Sequence, residues 1–488
     1  METSDIPLRP ILSRFLFSLR DIGYSLDTAV ADVVDNSITA RAHTVRISVM
    51  PSLSSMCIYD DGYGMNKEEL LTALRLGSSK DTRDEGDLGR FGLGLKTASF
   101  SQCRKLTLIS KSAGMISGYC WDLDFIAERN DWIIKEADMD ACKSIVEKMP
   151  DDLWNVFISG KTGTLVLWEK IDRYTDEGHF TAELSNLTST LALTFHRYLD
   201  TGGYKKHKID MYFNGIQIKP FDPFASSNRA SQMSAREEHV LRSGEKIYIT
   251  PYVLPHHSRL KNDEYKELAT KDGFTRTQGF YLYREGRLLI YGTWFGLACI
   301  QDSSSLVRIQ IDINNKQDDL WQIDVKKCKA SPVPEIKKIL SHYIINNAER
   351  SKRVYQHKGV RVKTTTSPYW QELNVGGKIS FKINRDHPIL RGISDTLSPE
   401  NRKILSNFIE SLEEFLPKER IHGIMATDPF SISNEENSVT KEQLMLIIKL
   451  FRDSGFSDDE IYDKLSNDER YQTEKSVINE LIKGKDNG

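Results

Sequence analysis

Between residues 26 and 38 the apolar side chains Leu26, Ala29, Val30, Val33, Val34 and Ile38 recur at the spacing of one stripe on an α-helix. The segments TVRISV (44–49), MCIYD (56–60), KLTLISKS (105–112) and GTLVLW (163–168) are short, β-branched and apolar, and predict strands. KEELLTALRLG (67–77) predicts a helix that stops at its glycine. Helix and strand patterns thus alternate over residues 1–200, which reads as an α/β class. From 201 to 349 a second block predicts strands at KIDMYFNGIQI, KIYITPYVL, GFYLYREGRLLIYG and SLVRIQIDI, closed by the helix PEIKKILSHYIINNAERSKR. The third block, 350–488, opens on the basic stretch SKRVYQHKGVRVK, turns helical by 399 and ends in three short helices. There Thr440 with Gln443, and Ser457 with Glu460, have the spacing of capping boxes. EENSV (435–439) is the expected linker.

At 488 residues the chain exceeds what one hydrophobic core serves, in keeping with three blocks. A formal charge of −3 offers nucleic acid no global attraction, so such binding would need a local patch. Two basic clusters, Lys205, Lys206 and Lys208, and Lys352, Arg353, Arg361 and Lys363, are explained equally well as solvated faces. Residues 440–488 hold eight Lys/Arg against eleven Asp/Glu, so the terminal helices suit a protein partner better than a phosphate backbone. The six cysteines form no C-x-x-C pair, which argues against a disulfide framework and a zinc site. METSDIPLRP lacks the layout of a signal peptide, and no stretch reaches the ~18 apolar residues of a membrane span. The expectation is a cytoplasmic protein without a membrane partner.

Three polar signatures carry the chemistry. In DVVDNS (32–37), Asp32 and Asn36 differ by about 40° around the helix axis and ~6 Å along it, opposite the apolar stripe. A carboxylate there can take a proton from water, and a carboxamide oxygen suits Mg2+; a solvated polar face is the alternative. Asp35 lies about 60° from Asp32, away from Asn36, and reads as a solvated or capping residue, with a catalytic role as the alternative. In DDGYG (60–64), Asp60 at a strand end can accept a hydrogen bond from an adenine amino group; the alternative is an acidic turn in which Gly62 and Gly64 supply positive φ. In GRFGLGLKT (89–97), backbone N–H groups can converge on phosphates at a helix start, with Lys96 as a point charge. A dinucleotide fold would want a strand directly before these glycines, but SSKDTRDEGDLGR precedes them, a polar stretch suited to a lid or surface loop.

Together, in this order and spacing, the three signatures resemble the GHKL ATPases: gyrase, ninety-kilodalton heat-shock chaperone, histidine kinase and MutL. Gly163-Thr164 matches the family's late G-T, and IGYSLDTAVADVVDNSITARA, LGSSKD and GRFGLGLKTAS are similar to bacterial relatives of MORC. The resemblance implies a Bergerat-type ATP-binding domain, an α+β sandwich of mixed sheet with helices on one face. An α/β transducer-like domain and a mainly helical C-terminal region would follow. It implies ATP and Mg2+ as ligands, with Asn36 on the metal. Asp60, Gly62, Gly64, Met65 and Thr164 would lie at the adenine end. Ser79, Lys80, Gly89, Phe91, Gly92, Leu93, Gly94 and Lys96 would lie along the lid and phosphates. Asp32 would activate water, and Lys326 or Lys327, in WQIDVKKCKASPVP (321–334), would cross from the transducer to the γ-phosphate.

Asp32 stands where most members carry glutamate, a side chain longer by one bond of ~1.5 Å, so slow hydrolysis is expected. The implied function is an ATPase switch that dimerises on ATP and acts on DNA or a DNA-bound partner, in DNA metabolism or in defence against foreign DNA. A non-hydrolysing ATP-sensing scaffold and a chaperone-like protein acting on protein partners are the alternatives.

Overall fold

Strand β2 (Ser55–Asp60) sits inside an eight-stranded mixed sheet and carries Asp60 at its end. A computed structural model of the chain describes residues 11–21, 23–77, 88, 94–174, 176–202, 204–205, 207–256, 259–269, 273, 275–324, 327, 329–356, 368–375, 378–427, 439–468, 470–471 and 474–483. The strands are β1 (Thr44–Met50), β2, β3 (Cys103–Ser112), β4 (Met115–Asp122), β5 (Lys135–Glu136), β6 (Gly163–Ile171), β7 (Asp210–Phe213) and β8 (Ile216–Gln217), in the order β5-β4-β3-β6-β2-β1-β7-β8. Alternation decides what each face buries. Ile58, Leu108 and Val166 face one way, under α1 (Leu12–Arg20), α2 (Leu26–Thr39), α4 (Gly94–Gln102) and α8 (Glu177–Thr194), which form the main helical layer. Tyr59, Ile109 and Leu165 face the other way. There α6 (Met139–Val146) and α7 (Leu153–Ser159) add a smaller cover through Val146, Leu153 and Phe157. The shorter α3 (Lys67–Leu74) and α5 (Leu123–Arg129) complete the helices before α8; α3 stops three residues short of the predicted glycine.

One strand lies elsewhere than its sequence suggests. KIDMYFNGIQI, read as the start of the second block, supplies β7 and β8 at the edge of the first sheet, where β7 pairs parallel with β1. Ile209 and Met211 are fully buried in the first core. Alternation identifies a strand but does not say which sheet takes it. After the short α9 (His196–Leu199), the second sheet contains β9 (Gln232–Met233), β10 (Glu237–Val240), β11 (Lys246–Val253), β12 (Gly279–Arg284), β13 (Arg287–Thr293) and β14 (Val307–Ile313). The helices α10 (Asn262–Ala269), α11 (Asp318–Trp321) and α12 (Pro334–Gln356) accompany it, and Ile336, Leu340 and Tyr343 of α12 close its core.

Met1–Val354 and Tyr355–Gly488 form two compact units, the first holding both sheets. The second pairs a hairpin, Trp370–Val375 with Lys378–Ile383, and has helices from Pro388 onward. Leu444, Phe451, Ile461, Leu465 and Ile478 form its helical core, and both capping boxes are present, at Thr440/Gln443 and Ser457/Glu460. Among the described residues no helix is long and apolar enough to cross a membrane.

The two glycines after Asp60 serve different ends. Gly64 has φ 67°, and a Cβ on it would sit 2.0 Å from the Lys111 carbonyl oxygen. Gly62 has no positive φ, contrary to the turn expectation. A Cβ there would lie 2.8 Å from both Ala40 Cβ and its carbonyl oxygen, so closeness to α2 is what requires glycine. Gly64→Ala combines a left-handed backbone with a main-chain collision and is expected to cost about 2 kcal/mol or more. A urea unfolding series against wild type measures it; an unchanged midpoint would contradict the geometry.

Candidate functional site

The end of the sheet presents a row of polar side chains on the helix-covered face. Asp60 lies opposite Thr164, and Thr164 opposite Ser110, so the three central strands β2, β6 and β3 each contribute one. Asp60 is 6% exposed; its Oδ2 accepts from Ser37 Oγ at 3.0 Å and its Oδ1 from the Gly62 N–H at 3.0 Å. Ser110 Oγ accepts from the Met65 N–H at 2.8 Å, donates to the Gly163 carbonyl at 3.1 Å and meets Thr164 Oγ1 at 2.9 Å. A hydroxyl has one proton, so Thr164 is the donor of that last bond and keeps lone pairs for another donor. Asp61, its neighbour in sequence, instead ties off the start of β1 by accepting from the N–H groups of His43 and Thr44, both at 2.7 Å.

Burial drives the Asp60 carboxyl up to about 6, partly offset by the Gly62 and Ser37 hydrogen bonds, while Asp61 pushes the same way as burial. A carboxyl whose folded value is raised favours the ligand-free fold when protonated, a contribution present below about 4 and lost as pH rises through about 6. A ligand that donates to the carboxylate has the opposite dependence. ATP affinity is therefore expected to fall as pH is lowered through about 6, measured by fluorescence titration at fixed ionic strength; a flat profile from pH 5 to 7.5 would remove Asp60 from the contact.

A second group of charges lies further toward the start of α2. Asp32 and Asp35 are 2% and 1% exposed, whereas Asn36 is exposed and donates through Nδ2 to the Asp32 carbonyl at 3.0 Å. Asp32 Oδ2 accepts from Tyr24 OH at 3.0 Å. Lys327 Nζ lies 3.2 Å from Asp32 Oδ1 and 2.6 Å from Asp35 Oδ2. Arg287 Nε lies 2.7 Å from Asp35 Oδ1 and its Nη2 3.6 Å from Asp32 Oδ1. Two carboxylates and two cations thus share a buried site. Burial raises the proton affinity of Asp32; Lys327 and Arg287 oppose it and Asp35 adds to it. Asp35 is accordingly neither solvated nor a cap. The helix turns it under the second sheet, where two cations from residues about 250 or more positions away meet it.

Lys327 has φ 57°, a left-handed conformation uncommon outside glycine. Its own N–H donates to the Asp324 carbonyl at 3.0 Å, while Asp324 Oδ1 accepts the Lys329 N–H at 3.0 Å. Such a strained position in a tight turn costs on the order of 1 kcal/mol and aims the side chain at α2. Gly94 opens α4 with its missing Cβ 3.7 Å from Asp32 Oδ2. Lys96 is buried, and its ammonium donates to the carbonyls of Ala73 at 2.9 Å and Arg75 at 2.7 Å, closing the end of α3. Burial lowers its pKa to about 8.

The structure therefore brings together Asp60, Gly62, Gly64, Met65 and Thr164 in one group, and Asp32 and Asn36 of α2 with Gly94 and Lys327 in another. Ser79, Lys80, Gly89, Phe91, Gly92, Leu93 and Lys326 lie outside the described residues. Sequence reasoning passed over Tyr24, Ser37, Ser110 and Arg287. Ser37 follows Asn36 directly, and that adjacency was a usable signal; Arg287 and Ser110 reach the site only through sheet pairing.

Residues 24–152 match the family of histidine kinase-, DNA gyrase B- and HSP90-like ATPases. A 92-residue stretch, 18% of this chain, is 35% identical to the ATPase morc-1 of Caenorhabditis elegans. A 101-residue stretch, 20% of the chain, is 35% identical to the DNA mismatch repair protein MutL of Buchnera aphidicola subsp. Schizaphis graminum. These stretches span only 11% and 17% of the two relatives' own lengths.

Proposed function

We propose, from the premise that residues 24–152 form a domain of the GHKL ATPase family, that this chain binds ATP and hydrolyses it slowly as a conformational switch. Asp60 accepts the adenine amino group, and Thr164 offers lone pairs to a bridging water at the same end. Lys327 on Asp32 is the observation that carries the reading: a lysine 295 positions away meets the carboxylate that stands where the resemblance implies the water-activating residue.

Asn36 fits a role on Mg2+. Its amide nitrogen is committed to the Asp32 carbonyl, which turns the amide oxygen outward on an exposed face, and Mg2+ takes one or two protein oxygens besides phosphates and waters. The bound ion would supply charge neutralisation on the phosphates. In the resting chain both Asp32 oxygens are taken, one by Tyr24 and one by Lys327. A γ-phosphate draws Lys327 away and frees Oδ1. Asp32 then accepts a proton as water attacks the γ-phosphorus and the bond to the ADP oxygen breaks. Catalysis here is positioning and electrostatics around the phosphates.

A non-hydrolysing ATP sensor is the second reading, favoured by that same double occupation of Asp32. ATP-dependent dimerisation rests on the family resemblance, and action on DNA or a DNA-bound protein on that resemblance together with the likeness to a DNA mismatch repair protein. Of the first basic cluster, Lys205 is paired with Glu285 at 2.7 Å and Lys208 with Asp210 at 2.8 Å, so part of its charge is already balanced within the chain. Light scattering with a non-hydrolysable ATP analogue, with and without DNA, tests the switch. The expected result is a doubled mass with the analogue; an unchanged mass in both arms removes dimerisation.

A further inference from the structure

The turn that joins β12 to β13, Tyr283 to Arg287, carries two buried arginines that both reach first-domain residues. Arg284 grips Asp318 with Nε at 2.6 Å and Nη2 at 2.9 Å, and its Nη1 donates to the Leu88 carbonyl at 3.0 Å. Between the arginines, the Glu285 carbonyl accepts from Tyr198 OH and its carboxylate from Lys205. Gly286, at φ 82°, lies against the Tyr204 ring so closely that a Cβ would fall 2.4 Å from it. The turn is fixed on every side. Arg287, 4% exposed, projects from it onto Asp35 and Asp32 as a charge contact, without the alignment of a hydrogen bond.

We propose that Arg287 is a positioning residue for Asp32, acting through Asp35; this rests on the reading of Asp32 as the base. Asp32 and Asp35 are one helical turn apart and both buried, so they repel each other in a poorly screened site. Lys327 and Arg287 balance them, and Arg287 stands on a turn held by Tyr198, Lys205 and Tyr204. When Lys327 leaves for a phosphate, two buried carboxylates would remain without a counter-charge, a state that opposes its departure. Arg287 supplies the charge that stays. It holds Asp35 in place, lets Lys327 go, and keeps Asp32 aimed at the attacking water. The adenine end lies apart from this cluster, so the effect falls on turnover and spares nucleotide affinity.

The test is a cycle of Arg287→Gln, Asp35→Asn and the double variant, with Arg287→Lys alongside, each measured for kcat and for ATP Kd. Arg287→Gln is expected to lower kcat on the order of 10-fold to 10²-fold with little change in Kd. The double variant removes both charges of one pair, so its kcat is expected to be no lower than that of the worse single variant. Arg287→Lys is expected to recover most of the loss. If Arg287→Gln fails to fold, Arg287→Lys and the double variant, which keep the charge balance, decide the question. Wild-type kcat in Arg287→Gln overturns the proposal, as do multiplicative losses across the cycle or a parallel loss of kcat and affinity. Wild-type turnover that is lost in Asp32→Asn but untouched in the Arg287 variants overturns Arg287 alone; a wild type that binds ATP without turnover overturns the catalytic reading and this role with it.

Discussion

Asp60→Asn is expected to weaken ATP binding by on the order of 10²-fold. Both carboxylate oxygens of Asp60 are already acceptors, for Ser37 Oγ and for the Gly62 N–H. An adenine amino group is a third donor, which an acceptor-only side chain can take. The amide replaces one oxygen with a donating nitrogen. Whichever way it is flipped, that nitrogen faces Gly62 N–H or Ser37, or displaces the adenine contact. Ser37 can rotate its proton away, but Gly62 and adenine cannot. A buried donor left unsatisfied costs roughly 1–3 kcal/mol, and the lost adenine bond adds to it, so about 3 kcal/mol is the expected sum. Equilibrium titration with a fluorescent ATP analogue checks it. Ser37→Ala, which removes only a supporting donor, is expected to be milder.

Asp32→Asn is expected to lower ATP turnover by on the order of 10²-fold or more while ATP affinity stays within a few-fold, because removing a general base typically costs 10²–10⁴. The amide keeps the shape that Tyr24 and Lys327 contact but accepts no proton. Lys327 retains Asp35 at 2.6 Å, so the cluster is left with one excess positive charge rather than an orphaned cation. That makes the isostere a better probe than Asp32→Ala, which would empty a buried site. Steady-state phosphate release at saturating ATP reads the effect. Equal rates for the variant and the wild type would take the base role from Asp32 and leave the ATP sensor standing.

The part of the candidate site that could be read from the sequence is local. The stripe from Leu26 to Ile38 sets the face of α2, and with it the joint placement of Asp32 and Asn36. The alternation through MCIYD sets Asp60 on the helix-covered face of β2. What stayed hidden depends on contacts between distant segments. The DD pair did not reveal that Asp60 joins the polar row with Ser37 while Asp61 ties off the start of β1. Nor did helical geometry reveal that Asp35 is buried, since a position 60° from a polar neighbour is solvated only if nothing packs there. Arg287 and Lys327 do pack there, from a strand and a loop of the second sheet. The assignment of β7 failed for the same reason: its pattern shows two faces, and partner choice lies outside it. Lys326 and Lys327 are adjacent and identical in type, and nothing local to them announces that Lys327 meets Asp32 and Asp35.

On this reading the polar row at the end of β2 and the charged face of α2 form one ATP site. Calorimetric titration of the wild-type chain with ATP and Mg2+, repeated with Asp60→Asn, tests it most directly. One saturable nucleotide per chain, with affinity lower on the order of 10²-fold in the variant, is the predicted result; no heat of binding to the wild type, or full affinity in the variant, would contradict it.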